Sequence, residues 1–310
     1  MNKKIKIFFV MFLLLLSTAC TKYAKEDNKT IVYETTGQTI VSNILCKPVE
    51  EDLYNFYKEH ESSLEVKLDE LSECKDFSVS DISYKSLWET IFIKPIAWLI
   101  LKLGQLVNNY GISVMLMSLC IRALMIPLSK KSMAQSEMMK KAQPELARLE
   151  KKYENKQDQE SMMAKSQEMM MIYKKYNINP VSGCLTAFIQ LPLFFAFLEA
   201  INRVPAIFEG SLFNMNLGMT PLVGLSHGNY IYIVLILLII LSTYISFKFS
   251  MSSNQGTQAD QMKFMMTFML IMISVASLSL PTAIALYWVV NNLFAIVQNI
   301  IVKKSTEKRK

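Results

Sequence analysis

The chain has 310 residues, 52% apolar and 19% charged, with 21 Met and only 9 Gly. Ordinary soluble domains carry roughly 45–50% apolar and about 25% charged residues, so this composition excludes a disordered chain, a collagen-like chain and a disulfide scaffold. The net charge of +7 is unevenly laid out: residues 1–20 hold three Lys and no acid, residues 21–88 hold 8 basic and 14 acidic side chains, and residues 89–310 hold 22 basic and 12 acidic ones. An acidic stretch followed by a basic remainder with apolar blocks of about twenty residues points to a membrane protein whose parts face different compartments.

Residues 1–19 read as a signal peptide: Lys3, Lys4 and Lys6, an apolar run over 7–16, then Ser17, Thr18 and Ala19 before Cys20. The run is too short for a full span. A Cys after such small residues resembles a bacterial lipoprotein signal, in which the Cys20 thiol is lipidated and Cys20 becomes the first mature residue. Ser17 departs from that pattern, which most often has Leu there; ordinary cleavage and an uncleaved anchor are the alternatives. In each case the mature N-terminus lies outside the cytoplasm.

Residues 20–88 read as an extracellular N-terminal region, a mostly polar linker plus one amphipathic helix over about 50–71, where Leu53, Phe56, Tyr57, Leu64, Leu68 and Leu71 follow helical spacing. Cys46 and Cys74 fall here, in an exported segment where a disulfide is one alternative; Cys120 and Cys184 fall in apolar segments and read as small apolar fillers. Residues 89–106, flanked by Trp88 and interrupted by Lys94, Pro95 and Lys102, suit an interfacial helix on the outer leaflet.

Five spanning helices are expected at 108–128, 181–201, 229–249, 263–280 and 282–302, within a core over 107–303. The fold class is therefore an all-α polytopic membrane protein. Residues 129–176 are rich in Met and in helix formers and are interrupted by a polar run over 153–160, which reads as a helical hairpin clear of the bilayer. The hairpin, the 250–262 loop and the basic 304–310 tail, with Lys248, Lys263 and Lys303, hold 18 Lys and Arg, whereas the 202–228 loop holds only Arg203. The positive-inside rule places the first set in the cytoplasm, in agreement with the signal peptide.

Arg122 does not belong in lipid: a central Arg costs about 2.5–3.5 kcal/mol on insertion scales. No acid stands within its own span. Glu199, the one acid in any expected span, lies toward the outer end of the second, while Arg122 is about 9 Å from the inner end of the first at 1.5 Å per residue. Arg122 therefore either snorkels to inner-leaflet phosphates or faces a hydrated cavity. Thr186, Gln190, Ser242, Thr243, Thr267, Ser274, Asn291, Asn292 and Gln298 supply polar company for a cavity, although each alone is more often a helix-packing residue. Pro192 with the run over 191–197 suggests a kinked second span with an apolar face.

Enzyme classes fall by absence. No HExxH, GxSxG or GxxxxGK[ST] occurs, and no expected span contains Asp, so metalloprotease, rhomboid-like, ATPase and aspartyl-type chemistries lack support and no cofactor or metal is expected. A small-solute transporter or channel is the rival class, disfavoured by the lack of an internal repeat and by a single pore-facing charge. A lipoprotein scaffold would leave Arg122 unexplained.

The runs LMIPLSKKSMAQSEMMKKAQPELARLEKKY, YNINPVSGCLTAFIQLPLFFAFLEAI and PTAIALYWVVNNLFAIVQNIIV keep their order behind Arg122. Together they resemble the YidC family of membrane protein insertases, in its Gram-positive, lipoprotein-type form, over roughly residues 85–303. The resemblance implies an insertase or chaperone without nucleotide chemistry, not an enzyme. It implies a five-helix core with a hydrophilic groove open to cytoplasm and lipid, and a cytoplasmic hairpin that receives substrate. Arg122 corresponds to the family's groove Arg, Gln190 to a groove-lining position and Trp288 to a third; Asn291 is placed with them. Implied partners are nascent membrane proteins and membrane lipid, with the Sec translocon and the ribosome as further candidates, the chain acting as a monomer in the bacterial plasma membrane.

Replacing Cys20 by Ala should abolish metabolic lipid labelling and block lipoprotein-type processing, while leaving part of the activity because the spans already hold the protein in the bilayer. A precursor that still matures at the same site would show that Cys20 is not the lipidated residue.

Overall fold

The computed structural model describes residues 21–80, 86–156, 158–179, 192–251 and 257–307. They are overwhelmingly helical and fall into two compact units. Of these described residues, one unit comprises 21–80, 86–121, 192–239 and 275–291, and the other comprises 122–156, 158–179, 240–251, 257–274 and 292–307.

The first unit begins with two short hairpins. Strands β1 (Lys25–Glu26) and β2 (Lys29–Thr30) pair antiparallel, as do β3 (Val32–Tyr33) and β4 (Gln38–Thr39). Asp27 and Asn28 take left-handed backbone in the first turn, the conformation a two-residue hairpin loop needs. The polar linker expected here is instead a folded mini-domain. Ala24, Ile31, Ile40, Val41 and Ile44 are buried with Leu53, Tyr57 and Leu68 in one apolar cluster. Apolar residues this sparse read as linker in sequence because no two-residue strand holds a full alternating period.

The expected 50–71 helix is also shorter. Helix α1 spans Glu51–Glu59, and two 3₁₀ turns follow at Glu61–Ser63 and Leu68–Glu70. The chain turns because the Glu61 carboxylate accepts the Leu68 N–H at 2.9 Å, and Lys58 joins Glu61 at 2.8 Å and Asp69 at 3.2 Å. Leu53, Tyr57 and Leu68 still reach the core, so the amphipathic face survives the loss of the continuous helix. A disulfide joins Cys46 and Cys74, both fully buried, across a sequence separation of 28 residues. Closing a loop of that size contributes about 3–4 kcal/mol in the chain-entropy account.

A π-helical turn at Glu89–Ile93 runs into helix α2 (Lys94–Val107), which ends at Asn108 in left-handed backbone. Helix α3 (Tyr110–Leu124) folds back beside it. Gly104 leaves the space that the Tyr110 ring occupies, and Ser113 donates through its hydroxyl to the Ile100 carbonyl. Helices α6 (Pro192–Asn202) and α7 (Pro205–Glu209) follow, then the hairpin of β5 (Ser211–Leu212) and β6 (Met215–Asn216) and helix α8 (Pro221–Ser226). The mini-domain rests on this loop: Leu45 N–H donates to the Arg203 carbonyl at 2.8 Å, Thr220 N–H to Thr36 at 2.8 Å, and the Glu209 carboxylate accepts Val49 and Glu50 N–H at 2.7 and 3.0 Å. Burial raises the Glu209 carboxyl above the usual carboxylate range, opposed by those two amides.

In the second unit, α4 (Ile126–Lys152) and α5 (Gln159–Lys175) form the hairpin. Pro127 in the first turn of α4 explains why α3 stops at Leu124: proline has no N–H to donate to the Ala123 carbonyl four residues back and its ring crowds that carbonyl, whereas Pro fits a new helix start. Helices α9 (Ile231–Met251), α10 (Thr257–Ser279) and α11 (Thr282–Glu307) complete the chain.

Among the described residues three helices are long and apolar enough to cross a bilayer, over Glu89–Val107, Ile231–Phe249 and Thr282–Ile301. Tyr110–Leu124, Pro192–Asn202 and Met266–Ser279 are shorter apolar helices. The expected spans at 229–249 and 282–302 thus fall on long helices. The ones at 108–128 and 263–280 fall on shorter stretches, the first cut at Met125, and the first half of the 181–201 span lies outside the described residues. The segment expected to be interfacial has spanning length and composition.

The end of α6, the loop after it and the π-turn enclose a cluster of four charges. The Arg203 guanidinium donates to Glu89 at 3.0 Å, to Glu199 at 3.5 Å and to the Asn43 carbonyl at 2.7 Å; Lys94 lies 3.7 Å from Glu89. All four side chains are buried. Removing one partner of such a set leaves an uncompensated buried charge and costs about 3–5 kcal/mol. Arg203→Met should therefore lower the thermal unfolding temperature of the purified protein steeply, and Arg203→Lys should fall between, keeping the charge but losing the fork. Pairing Arg203→Met with Glu199→Gln should recover part of the loss, and additive losses would show that the two residues are not coupled.

Candidate functional site

Trp288 and Asn291 stand three residues apart on α11, in the first unit. The Trp288 ring is half-buried and meets Phe194 of α6 edge-on at 5.7 Å, and the neighbouring Tyr287 stacks on Phe197 at 4.1 Å. The aromatic run that follows Pro192 thus packs against the Tyr-Trp pair. Asn291 is buried and donates to the Tyr287 carbonyl at 3.0 Å, four residues back along its own helix. Gln190 and Cys20 lie outside the described residues.

Arg122 sits in the last turn of α3, half-buried, in the second unit. Its carbonyl accepts the Met125 N–H at 3.2 Å, closing the turn before Pro127. The same unit carries a polar seam in apolar helices: Asn292 of α11 donates to Thr243 at 2.7 Å and Ser242 at 3.4 Å, both buried on α9. Farther along α11, the Gln298 amide nitrogen is buried with no hydrogen-bond partner among the described residues. A buried donor in that state calls for water or a ligand. Among the described residues no cluster of His, Cys, Asp or Glu could hold a metal ion.

The hairpin is closed by two reciprocal clamps. Lys152 and Tyr153, at the end of α4, reach Glu168 of α5 at 2.6 and 2.9 Å; Lys175 and Tyr176, at the end of α5, reach Glu145 of α4 at 2.5 and 2.8 Å. Between them Glu145, Glu168, Met171, Ile172 and Lys175 line a cavity of about 350 Å³. Met162, Met163, Met170 and Met171 are exposed on α5, a soft apolar surface.

Sequence reasoning missed the buried ion cluster. Arg203 read as the lone basic residue of the 202–228 loop and Glu199 as an isolated acid, yet their i, i+4 spacing on a helix end was the available signal. The partners Glu89 and Asn43 are more than a hundred residues away and gave none.

Fold and site together define a polytopic α-helical membrane protein with buried polar positions in its apolar helices and a charged helical hairpin. The family model described as "60Kd inner membrane protein" matches residues 102–309. A relative named "Membrane protein insertase YidC" from Oceanobacillus iheyensis is 35% identical over 230 residues, covering 72% of this chain and 86% of the relative. "Membrane protein insertase MisCA" of Bacillus subtilis is 35% identical over 217 residues, covering 70% and 79%. The chain belongs to this family, the YidC membrane protein insertases. In fold it is similar to a solved structure titled "Active YidC insertase crystal structure with the first transmembrane domain resolved", at a TM-score of 0.51 and 22% identity over 72% of this chain; the match spans about half, 48%, of that solved chain.

The clamp carboxylates set a pH window. Glu145 is held below the usual carboxylate range first by the Lys175 hydrogen bond and then by that of Tyr176, and Glu168 likewise by Lys152 and Tyr153. A lowered pKa means that the clamps' stabilisation is present above the ordinary Glu value of about 4.3 and is lost as pH falls through the lowered values. Amide exchange in α4 and α5, corrected for intrinsic rates, should be flat from about pH 7 to 5 and accelerate below about pH 4. In the Glu145→Gln, Glu168→Gln double variant the acceleration should vanish.

Proposed function

We propose that this chain integrates membrane proteins and helps them fold, using a hydrated, positively charged groove in its helical core. Arg122, Gln190, Trp288 and Asn291 are assigned to that groove. In this reading five helices span the bacterial plasma membrane. The α4–α5 hairpin and the basic tail are cytoplasmic, and the mini-domain is exterior, tethered by lipidated Cys20. The segment ending in α2 lies on the outer leaflet; its buried Glu89 and Lys94 favour that placement, since charge is expensive at mid-bilayer. Nascent membrane proteins are the substrates, received by the chain as a monomer, alone or with the Sec translocon; ribosome contact would fall to the tail.

The observation that carries the reading is Arg122, a permanently charged, half-buried side chain in an otherwise apolar helix, in a unit that also holds buried Ser242 and Thr243 and half-buried Asn292. The mechanism follows from solvation. Taking a polar or acidic tail across about 30 Å of hydrocarbon is prohibitive unless part of the path is wet. A groove that reaches partway shortens the barrier, and Arg122 gives the acidic tail a transient partner. The substrate's apolar helix then slides along lipid-exposed faces, where Phe264, Phe268, Ile271, Met272 and Val275 of α10 are exposed. Burial at about 25 cal/mol per Å² drives the transfer without ATP.

The test is insertion of a small single-span protein with an acidic tail into vesicles holding the purified protein and no nucleotide. Arg122→Ala should reduce insertion about tenfold or more, the equivalent of losing about 1.5–3 kcal/mol from hydrogen bonds to a charged group. Arg122→Lys should retain most of it, and substrates with neutral tails should be little affected. Equal insertion of the acidic-tail substrate by wild type and Arg122→Ala would overturn the groove mechanism.

A further inference from the structure

The β5–β6 hairpin turns through Phe213 and Asn214, both in left-handed backbone at φ 50° and 59°. Two-residue turns of this hand favour Asn and Gly, and a bulky aromatic with positive φ is uncommon. Phe213 is nevertheless 68% exposed, so burial within the described protein does not account for it.

The hairpin is fastened to the starts of two apolar helices. The Asn109 side chain, immediately before α3, donates to the Ser211 carbonyl at 3.0 Å, and Leu212 packs on Gly111. The Asn229 side chain, two residues before α9, donates to the Asn214 carbonyl at 2.9 Å, and the Tyr232 hydroxyl accepts the Asn216 N–H at 3.1 Å. The tip therefore lies at the level where α3 and α9 begin. Tyr230 is 73% exposed at the same end, and from there the exposed face of α9 runs on through Ile233, Val234, Leu237, Leu238 and Leu241. Those side chains are apolar, and Phe213 adds an exposed aromatic ring at the end where α9 starts. Aromatic side chains at this depth belong to the belt between headgroups and acyl chains.

We propose that the Phe213 tip is a membrane anchor. It inserts into the boundary between phospholipid headgroups and acyl chains of the leaflet where α3 and α9 start, and so fixes the depth of the loop that carries the mini-domain. The strained turn holds the ring outward, toward lipid. The assignment rests on the proposed reading that α9 crosses the bilayer.

The experiment uses the full chain in phosphatidylcholine–phosphatidylglycerol vesicles, with Cys120 and Cys184 replaced by Ala, Cys20 by Ser and the disulfide kept. A nitroxide at Phe213→Cys is compared with one at Lys67→Cys on the mini-domain and one at Leu241→Cys within α9, by collision with oxygen and with a water-soluble nickel chelate. Position 213 should read as buried about 5–10 Å into the interface, clearly apart from position 67 and shallower than position 241. An aqueous reading at 213 with a deep reading at 241 would overturn the anchor alone; an aqueous reading at 241 would overturn the spanning of α9 instead. Shielding of 213 from both relaxants would mean contact with protein, a second copy or a substrate, and would also overturn the anchor. Should the label disturb the turn, Asn214→Cys reads the same tip.

Discussion

The packing of the mini-domain, the π-turn and α6 in the first unit depends on one guanidinium. Arg203 reaches Glu89 of the π-turn, Glu199 of α6 and the Asn43 carbonyl of the mini-domain, and its own carbonyl accepts Leu45 N–H. With Lys94 beside Glu89, two cations face two carboxylates and the buried set carries no net charge. Trp88 adds a donor to Glu199 at 3.1 Å. Such a set gains little over well-packed apolar residues, because desolvation offsets most of the attraction. What it supplies is register: a planar fork accepts few geometries, so three separate segments are placed by one side chain.

The hairpin uses charge in the opposite regime. Its Lys and Glu side chains are solvent-exposed, where single pairs are worth little, and stiffness comes from repetition of the same Lys-Tyr clamp at both helix ends. Because the clamps are weak and screened, the two helices can separate at small cost. The exposed methionines of α5 add a soft apolar surface beside these weak clamps.

Much of this architecture was legible in the sequence because its strongest signals are long. Runs of about twenty apolar residues mark α9 and α11 without reference to any partner, and the Met-rich, charged character of 129–176 marks α4 and α5. The legible part of the candidate site was Arg122, which stands out because its cost in lipid is intrinsic to one residue. What was not legible is tertiary. The mini-domain's strands are two residues long, too short for periodicity, and its core draws on residues scattered from Ala24 to Leu68. The ion cluster joins residues up to 160 apart. The break after Leu124 had a visible cause in Pro127, but the apolar run continued across it and masked the end of the helix.

The two polar regions differ in a way that separates scaffold from working surface. Around Arg203, charges balance inside the protein, so there is no field for a passing ligand to answer. In the second unit the cation Arg122 sits in α3, and neither α3 nor α9 contains an acid; the Gln298 amide has no partner among the described residues. Leaving a buried amide nitrogen such as that of Gln298 unpaired costs stability unless water or a transient partner satisfies it. A membrane helix bundle optimised for stability alone would carry Leu or Ala there, whereas a bundle that lowers the barrier for a polar segment gains from a hydrated polar group. Arg203, whose charge is balanced inside the protein, fastens segments together, whereas the proposed reading gives Arg122, a residue the same in kind, the working role in the second unit.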